Sequence, residues 1–254
     1  MLKKRIIPTL LLKNNRMVKG KEFKNYRDVG DPISAVRIYN SQHADEIIFI
    51  DINENKDFTY LRNTLEKVSE NCFIPLCAGG GINSLNQIKE LLRAGADKVL
   101  ITSEIYKNKN FLKQAAKKFG SQCIVAGFDI KLGLDNKYLP SINSGNQIIK
   151  DYDLTNYLKF LEKNGAGEIL INFIDKDGLM KGTNIEVLKV LSNTTDIPII
   201  VLGGIGNFQH AVDVFKETKT TAVACGSIFH FGSNDPIRFK SYLKNYGIDQ
   251  RDLR

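Results

Sequence analysis

One stretch of this chain is written twice, and the repeat restricts the fold more than any other feature. Phe73-Ile-Pro-Leu-Cys-Ala-Gly-Gly-Gly-Ile82 is an apolar run that opens with Ile-Pro and ends in glycines, and Ile197-Pro-Ile-Ile-Val-Leu-Gly-Gly-Ile-Gly206 has the same plan. Each copy is followed by a helical segment and a second apolar run ending in a hydroxyl residue: Val99-Leu-Ile-Thr-Ser103 in one, Val223-Ala-Cys-Gly-Ser227 in the other. Ala44-Asp-Glu-Ile-Ile-Phe-Ile-Asp51 likewise resembles Ala166-Gly-Glu-Ile-Leu-Ile-Asn-Phe-Ile-Asp175. Glu46 and Glu168, Pro75 and Pro198, and Ser103 and Ser227 lie 122, 123 and 124 residues apart. Shared composition does not produce a constant offset over several motifs; two copies of one half-chain do.

Eight apolar runs alternate with helical segments: Ile6–Leu12, Glu46–Ile52, Phe73–Ala78, Lys98–Thr102, Cys123–Ile130, Glu168–Ile174, Ile197–Leu202 and Thr221–Gly226. They are nearly continuous in Ile, Val, Leu, Ala and Phe, as strands of a parallel sheet covered on both faces are. The segments between them carry helix punctuation. Asp31-Pro32 and Asp235-Pro236 read as N-cap and N1, Ser84-Leu-Asn-Gln87 as a capping box, and Gly95, Gly120 and Gly165 as residues just past helix ends. Eight βα units in 254 residues predict an α/β fold, a single (β/α)8 barrel over residues 1–254 built from two (βα)4 halves. Two connections exceed what a barrel needs, Lys13–Gly30 and Lys131–Asp151. Both leave the C-terminal ends of their strands, where long loops commonly serve as lids. Asn14-Asn15 and Asn143-Ser-Gly145 are their expected turns.

Composition narrows the function. No apolar run approaches a membrane span, and Met1-Leu-Lys-Lys-Arg-Ile-Ile enters a strand-like run without a cleavage site, so a cytoplasmic protein is expected. The four cysteines form no CxxC pair and the three histidines show no ligand spacing, so neither a metal nor another cofactor is expected. The net charge of +8 comes from lysines spread along the chain, without a basic block or aromatic interleaving; nucleic acid is not an expected partner.

In a parallel barrel, strands that end in glycine and hydroxyl residues can cradle a phosphate with backbone N–H groups, and two such cradles imply a substrate with a phosphate at each end. Asp51, Asp129, Asp175 and Asp177 stand at C-terminal strand ends, where a carboxylate serves either as a general acid or base or as a loop hydrogen-bond acceptor. Lys19, in Val18-Lys-Gly20, either covers a phosphate or leaving group or is a solvated loop lysine. At the opposite end, Arg5, Glu46, Lys98 and Glu168 sit at the start of their runs. Alternate residues of a barrel strand point inward, so the four either form a neutral salt-bridged ring or are ordinary solvated charges.

These motifs resemble a family. Lys4-Arg-Ile-Ile-Pro8, Val18-Lys-Gly20, Gly30-Asp-Pro32, Asp45-Glu46, Pro75 through Gly81, Arg93-Ala-Gly-Ala-Asp-Lys98, Phe119-Gly-Ser-Gln122, Gly165-Ala-Gly-Glu168, Asp175-Lys-Asp-Gly178 and Ser227-Ile-Phe-His-Phe231 are similar to the cyclase subunit of imidazole glycerol phosphate synthase (HisF), over essentially the whole chain. The resemblance implies a glutamine amidotransferase of two subunits. A HisH-like glutaminase on the N-terminal barrel face releases ammonia. The ammonia crosses the barrel through a charged gate and meets a bis-phosphorylated substrate, which yields imidazole glycerol phosphate and an aminoimidazole carboxamide ribonucleotide. The gate maps onto Arg5, Glu46, Lys98 and Glu168, and the docking face onto Asp97. The phosphate cradles map onto Gly81, Thr102 and Ser103, and onto Asp177, Gly178, Gly204, Gly226 and Ser227.

The family's acid/base pair is two aspartates, one matching Asp129 and the other falling at position 11. There this chain reads Thr9-Leu-Leu-Leu12, and Leu11 cannot transfer a proton. Asp51 is the expected substitute if the substrate sits differently. Leu179 stands where a threonine is common. Leu-Leu-Leu also resembles a paralogous branch associated with surface-glycan sugar synthesis, whose members pass ammonia to a separate enzyme that amidates a sugar. A phosphoribosyl isomerase built from the same duplication would leave the four charges without a role.

Overall fold

The computed structural model describes residues 3–14, 16–53 and 57–251; Asn15 of the expected Asn14-Asn15 turn and the first two residues of the chain lie outside them. Eight parallel strands close into a barrel: β1 (Arg5–Lys13), β2 (Ile47–Asp51), β3 (Leu76–Gly79), β4 (Lys98–Ile101), β5 (Ile124–Leu132), β6 (Glu168–Phe173), β7 (Ile199–Leu202) and β8 (Ala222–Cys225), with β8 pairing back onto β1. One longer helix follows each strand: α1 (Pro32–Ser41), α2 (Phe58–Ser69), α3 (Leu85–Arg93), α4 (Phe111–Phe119), α5 (Leu154–Lys163), α6 (Ile185–Ser192), α7 (Phe208–Glu217) and α8 (Pro236–Asn245). Short helical turns, Ser103–Lys107 and Ser227–His230, follow β4 and β8 directly, one in each half.

The punctuation read from the sequence acts at the helix starts. Asp31 and Asp235 accept from the third residue of their helices with proline at the first position, and Ser84 accepts from the Gln87 N–H. The Gln87 side chain closes its box on the Asn83 N–H, one residue earlier than a standard box. Each such cap is worth about 1 kcal/mol. The Ile-Pro pairs differ from their expected role: β3 begins at Leu76 and β7 at Ile199, so Phe73–Pro75 and Ile197–Pro198 lead into strands rather than belong to them. A proline has no N–H to give a ladder but its carbonyl can accept. Pro75 O accepts from Ile47 N at 2.9 Å and Pro198 O from Ile169 N at 3.0 Å, the same bond in both halves.

The two long connections are hairpins rather than irregular loops. β1 runs on and pairs antiparallel with Arg16–Lys21, which turns back into Lys24–Gly30. β5 runs on and pairs antiparallel with Tyr138–Ile142, which pairs with Gln147–Ile148. The two halves thus carry matching excursions over the same end of the barrel.

The registers fix which residues share a level. Leu11 lies opposite Ile50, Ile50 opposite Gly79, Gly79 opposite Leu100, Leu100 opposite Val125 and Val125 opposite Glu168. Continued through β7 and β8, the walk re-enters β1 at Lys3, eight residues below its start, the shear of a (β/α)8 barrel. Correcting for that stagger sorts the inward-facing residues into layers of four from alternate strands. The top level within the strands holds Leu11 and Asp129, with β3 and β7 already turning into their glycine loops, and the next holds Ile50 and Asn172, where β4 and β8 end just before Thr102 and Gly226. Thr9, Gly79, Gly127 and Leu202 follow. Below them lie two apolar layers: Ile48, Leu100, Leu170 and Ala224, then Ile7, Cys77, Val125 and Ile200. The residues of these two layers are buried together as one cluster inside the barrel, apart from the larger core between barrel and helices.

Candidate functional site

Beneath the apolar layers come Glu46, Lys98 and Glu168, with the small Ala222 on the fourth strand. Arg5 sits opposite the small Ala222 in the register, on the level below, and reaches up to Glu46 and Glu168. The result is a closed ring of alternating charge. Arg5 reaches Glu46 at 2.7 Å and Glu168 at 3.1 Å, and Lys98 reaches the same two carboxylates at 2.8 and 3.1 Å. Two cations and two anions cancel, which is how charges are tolerated at such depth. Burial is the largest influence on Glu46 and pushes its carboxyl above the usual range despite Lys98 and Arg5. One oxygen of each glutamate, Glu46 Oε1 and Glu168 Oε2, has no hydrogen-bond partner. Just above, the Cys77 thiol is fully buried, and burial holds it well above its ordinary value.

Asp97 lies at the same end of the barrel, where its Oδ2 accepts from the Leu76 N–H at 2.8 Å. Asp45 is its structural counterpart: it accepts from the Ile6 N–H and pairs with Lys240 at 2.7 Å. Phe73, 87% exposed, stands on this face.

At the opposite end is a cavity of about 410 Å³ lined by residues of β2, β4, β5 and β6 and of the loops that follow β3 and β4, among them Gly81, Thr102, Ser103, Asp129 and Asn172. Asp129 Oδ1 accepts from Asn172 Nδ2 at 2.9 Å. The Thr102 side chain lies over Gly127, where an added Cβ would come within 2.1 Å of its hydroxyl oxygen. The Ser103 hydroxyl accepts from the Asn143 N–H at 3.2 Å, so the β5 hairpin rests on the end of β4. Asn143 and Ser144 take left-handed backbone angles there.

Asp51 lines the same cavity but belongs to a different face of its strand. It alternates with Ile47 and Phe49, which pack outward against the helices, whereas Ile50 faces inward. Its Oδ1 accepts from the main-chain and side-chain N–H groups of Asn53, at 2.9 and 2.7 Å. It therefore does not stand in the layer that Leu11 and Asp129 share. Leu11 is 2% exposed and holds the β1 position of that layer, across the barrel from Asp129.

The second mouth, over β6, β7 and β8, is nearly filled, with about 10 Å³ left. Lys19 crosses from the β1 hairpin and forms an ion pair with Asp177; both side chains are only 4% exposed. Its stem lies over Gly226, within 3.4 Å of where a Cβ would be. Gly20 O packs so closely on Gly178 that a Cβ there would come within 2.2 Å, and the Asp177 carbonyl accepts from Glu22 N at 2.8 Å. Ser227 Oγ and Asp177 Oδ2 are buried here without a hydrogen-bond partner. Gly204 packs against the Gly182 carbonyl in the same wall. Asp175 turns to the other hairpin and accepts from Tyr138 OH at 2.9 Å; burial first, then Asp175, raises that phenol. The Asp175–Gly178 loop thus holds both hairpins.

Behind this mouth His230 Nε2 faces the Thr9 carbonyl at 3.3 Å, and Nδ1 faces Tyr39 OH at 3.3 Å. A carbonyl only accepts, so Nε2 carries the proton and Nδ1 accepts from Tyr39. Burial pushes the imidazole down to about 4.

The structure therefore brings together the four charges of the barrel bottom, sets Gly81, Thr102, Ser103 and Asp129 around an open cavity, and sets Lys19, Asp177, Gly178, Gly204, Gly226 and Ser227 around a closed one. Asn172, the Lys19–Asp177 pair and the Tyr138–Asp175 contact were not anticipated. Only Asn172 had a signal, since Glu168, Leu170 and Asn172 alternate along one strand face. Among the described residues, no helix is long and apolar enough to cross a membrane.

Comparison with known proteins points the same way. The family model described as "Histidine biosynthesis protein" matches residues 5–235. The chain is 40% identical over 256 residues to the imidazole glycerol phosphate synthase subunit HisF of Streptococcus mutans, covering 99% of this chain and all of that one. It is 41% identical over 255 residues to the HisF subunit of a Hydrogenobaculum species, with the same coverage, and 38% identical over 252 residues to that of Staphylococcus carnosus, with 99% of each covered.

Proposed function

The chain belongs to the family of imidazole glycerol phosphate synthase HisF subunits, and from that premise we propose that it is the cyclase subunit of a glutamine amidotransferase. In this reading a glutaminase docks on the barrel face that carries Asp97 and Phe73. Ammonia passes the ring of Arg5, Glu46, Lys98 and Glu168 and crosses the apolar layers. It then acts on a bis-phosphorylated substrate in the cavity of Asp129. The observation that carries the reading is the closed ring beneath an apolar interior. A four-charge plug has no use in a barrel whose chemistry is confined to its mouth, whereas a neutral ring that opens would pass a small neutral molecule and hold back ions and water.

The roles divide by position. Asp129 is the proton-transferring carboxylate, positioned by Asn172. One phosphate is held by the backbone around Gly81, Thr102 and Ser103 at the start of the short helix after β4, where N–H groups and the helix dipole favour an anion. The other is held by Gly178, Gly204, Gly226 and Ser227 once the β1 hairpin moves Lys19 off Asp177; Lys19 then faces the substrate instead.

Leu11 favours a second reading. An alkyl side chain opposite Asp129 removes one of two proton-transfer groups, a loss of order 10²–10⁴ in a step that needs both. The subunit would then chiefly conduct ammonia toward an enzyme that amidates a sugar. One assay separates the two. The bis-phosphorylated substrate is supplied with excess ammonium salt and no glutaminase. Rapid turnover supports the cyclase and excludes the conduit; absence of turnover, restored by Leu11→Asp, does the reverse. For the ring, Arg5→Ala is expected to change glutamine-dependent activity and leave ammonium-dependent activity nearly unchanged, whereas equal loss of both makes Arg5 a structural residue only.

A further inference from the structure

The barrel interior changes character abruptly above the two apolar layers. The Ile7 layer and the Ile48 layer offer only alkyl groups and the Cys77 thiol toward the axis. The next layer contributes the Thr9 hydroxyl, and the one above it the Asn172 carboxamide. Both residues are buried, at 2% and 4% exposure, and Thr9 Oγ1 and Asn172 Oδ1 have no hydrogen-bond partner. The orientation of the carboxamide follows from its neighbour. A carboxylate only accepts, so the NH₂ end must face Asp129 and the carbonyl oxygen must face away. Leaving two buried polar atoms unpaired carries a desolvation cost, and such atoms call for an explanation.

We propose that Asn172 Oδ1, with the Thr9 hydroxyl one layer below it, forms a landing site for ammonia where the apolar interior opens into the cavity of Asp129. The inference rests on the ammonia-using reading above. Ammonia is a neutral molecule with three N–H donors and one lone pair. An amide oxygen accepts one N–H, and a hydroxyl can either accept a second or donate to the lone pair. Because the same carboxamide holds Asp129 through its other end, ammonia bound at Asn172 is delivered beside that carboxylate without being protonated by a strong acid on the way. Asn172 is in this sense both a binding and a positioning residue.

Steady-state kinetics of wild type, Thr9→Val and Asn172→Leu with ammonium salt as nitrogen source test the site, because both replacements keep the branched shape of the side chain and remove its polar atoms. In Asn172→Leu the KM for ammonia is expected to rise about tenfold, the equivalent of one net hydrogen bond, with a smaller rise in Thr9→Val and an unchanged KM for the bis-phosphorylated substrate in both. An unchanged ammonia KM in the two variants overturns the inference while the wild-type activity keeps the functional reading intact. A parallel rise of both KM values also overturns it, by making these residues mere cavity wall. If Asn172→Leu fails to fold, Thr9→Val decides alone. A wild type inactive with ammonium overturns the functional reading, and the landing site with it.

Discussion

The two mouths of this barrel have the same parts and opposite states. Each lies between a strand ending in glycines and a strand running into a short helix, and each is overhung by a β-hairpin. Yet the mouth of the first half holds an open cavity of about 410 Å³, while that of the second has about 10 Å³ left. The difference does not come from the duplicated scaffold. It comes from what the hairpins send across. The β5 hairpin touches its neighbour through a backbone N–H on Ser103 and leaves the space beneath empty. The β1 hairpin sends in a lysine side chain and lays Gly20 against Gly178. Duplication thus supplied two equivalent mouths, and one hairpin determines which of them is accessible.

Substitutions at the two mouths test this contrast. The largest effect belongs to the open mouth: Asp129→Asn keeps the shape and removes the carboxylate proposed to transfer the proton, so on that proposal ammonium-dependent turnover falls by roughly 10²–10⁴ in steady-state assays while the melting temperature barely moves. At the closed mouth, Lys19→Met strands Asp177 without its partner, an effect of about 3–5 kcal/mol, or roughly 10 °C in a thermal melt of a protein this size. Lys19→Met combined with Asp177→Leu recovers most of that loss. If Lys19→Met alone leaves the melt unchanged, the pair is not what closes this mouth.

Behind the closed mouth, His230 predicts a pH dependence. Its folded pKa of about 4 lies below the unfolded value of about 6.5. The unfolded chain therefore takes up a proton that the folded chain refuses. Stability is unaffected by this group above pH 6.5 and falls by up to about 3 kcal/mol as pH drops from about 6.5 to about 4. Denaturant titrations across that window should show a shallower fall for His230→Gln. The smallest effect returns to the open mouth: Ser103→Ala removes the acceptor of the Asn143 N–H and is expected to lower stability by about 1 kcal/mol, read as a small shift of the denaturation midpoint.

The sequence made the scaffold readable because its signals are local or repeated. Asp31-Pro32, Asp235-Pro236 and Ser84 mark helix starts with their own side chains, and the constant offset between Glu46 and Glu168 marks the duplication. The charged ring was readable as a set because its four members all sit at the starts of their strands. What could not be read depends on contacts between distant segments. Lys19 and Asp177 are 158 residues apart, and nothing near either one announces the other. The hairpins read as loops because antiparallel excursions such as Arg16–Lys21 carry little of the apolar continuity that marks a barrel strand. Asp51 looked like a second acid because it stands at a strand end, but the strand's alternation assigns it to the helix-facing side. Asn172 was hidden in an apolar run, and only counting back by twos to Glu168 would have turned it inward.

The ring at the barrel bottom also depends on a residue that carries no charge. Three of its members come from one level, and the fourth, Arg5, closes it only by climbing past Ala222. A longer side chain at that position would push Arg5 back toward solvent and leave two carboxylates with a single lysine, an anionic collar in place of a neutral one. The neutrality of the ring thus depends on steric room on a strand that contributes nothing to its charge, and position 222 is where the ring could be altered without touching an ionisable group.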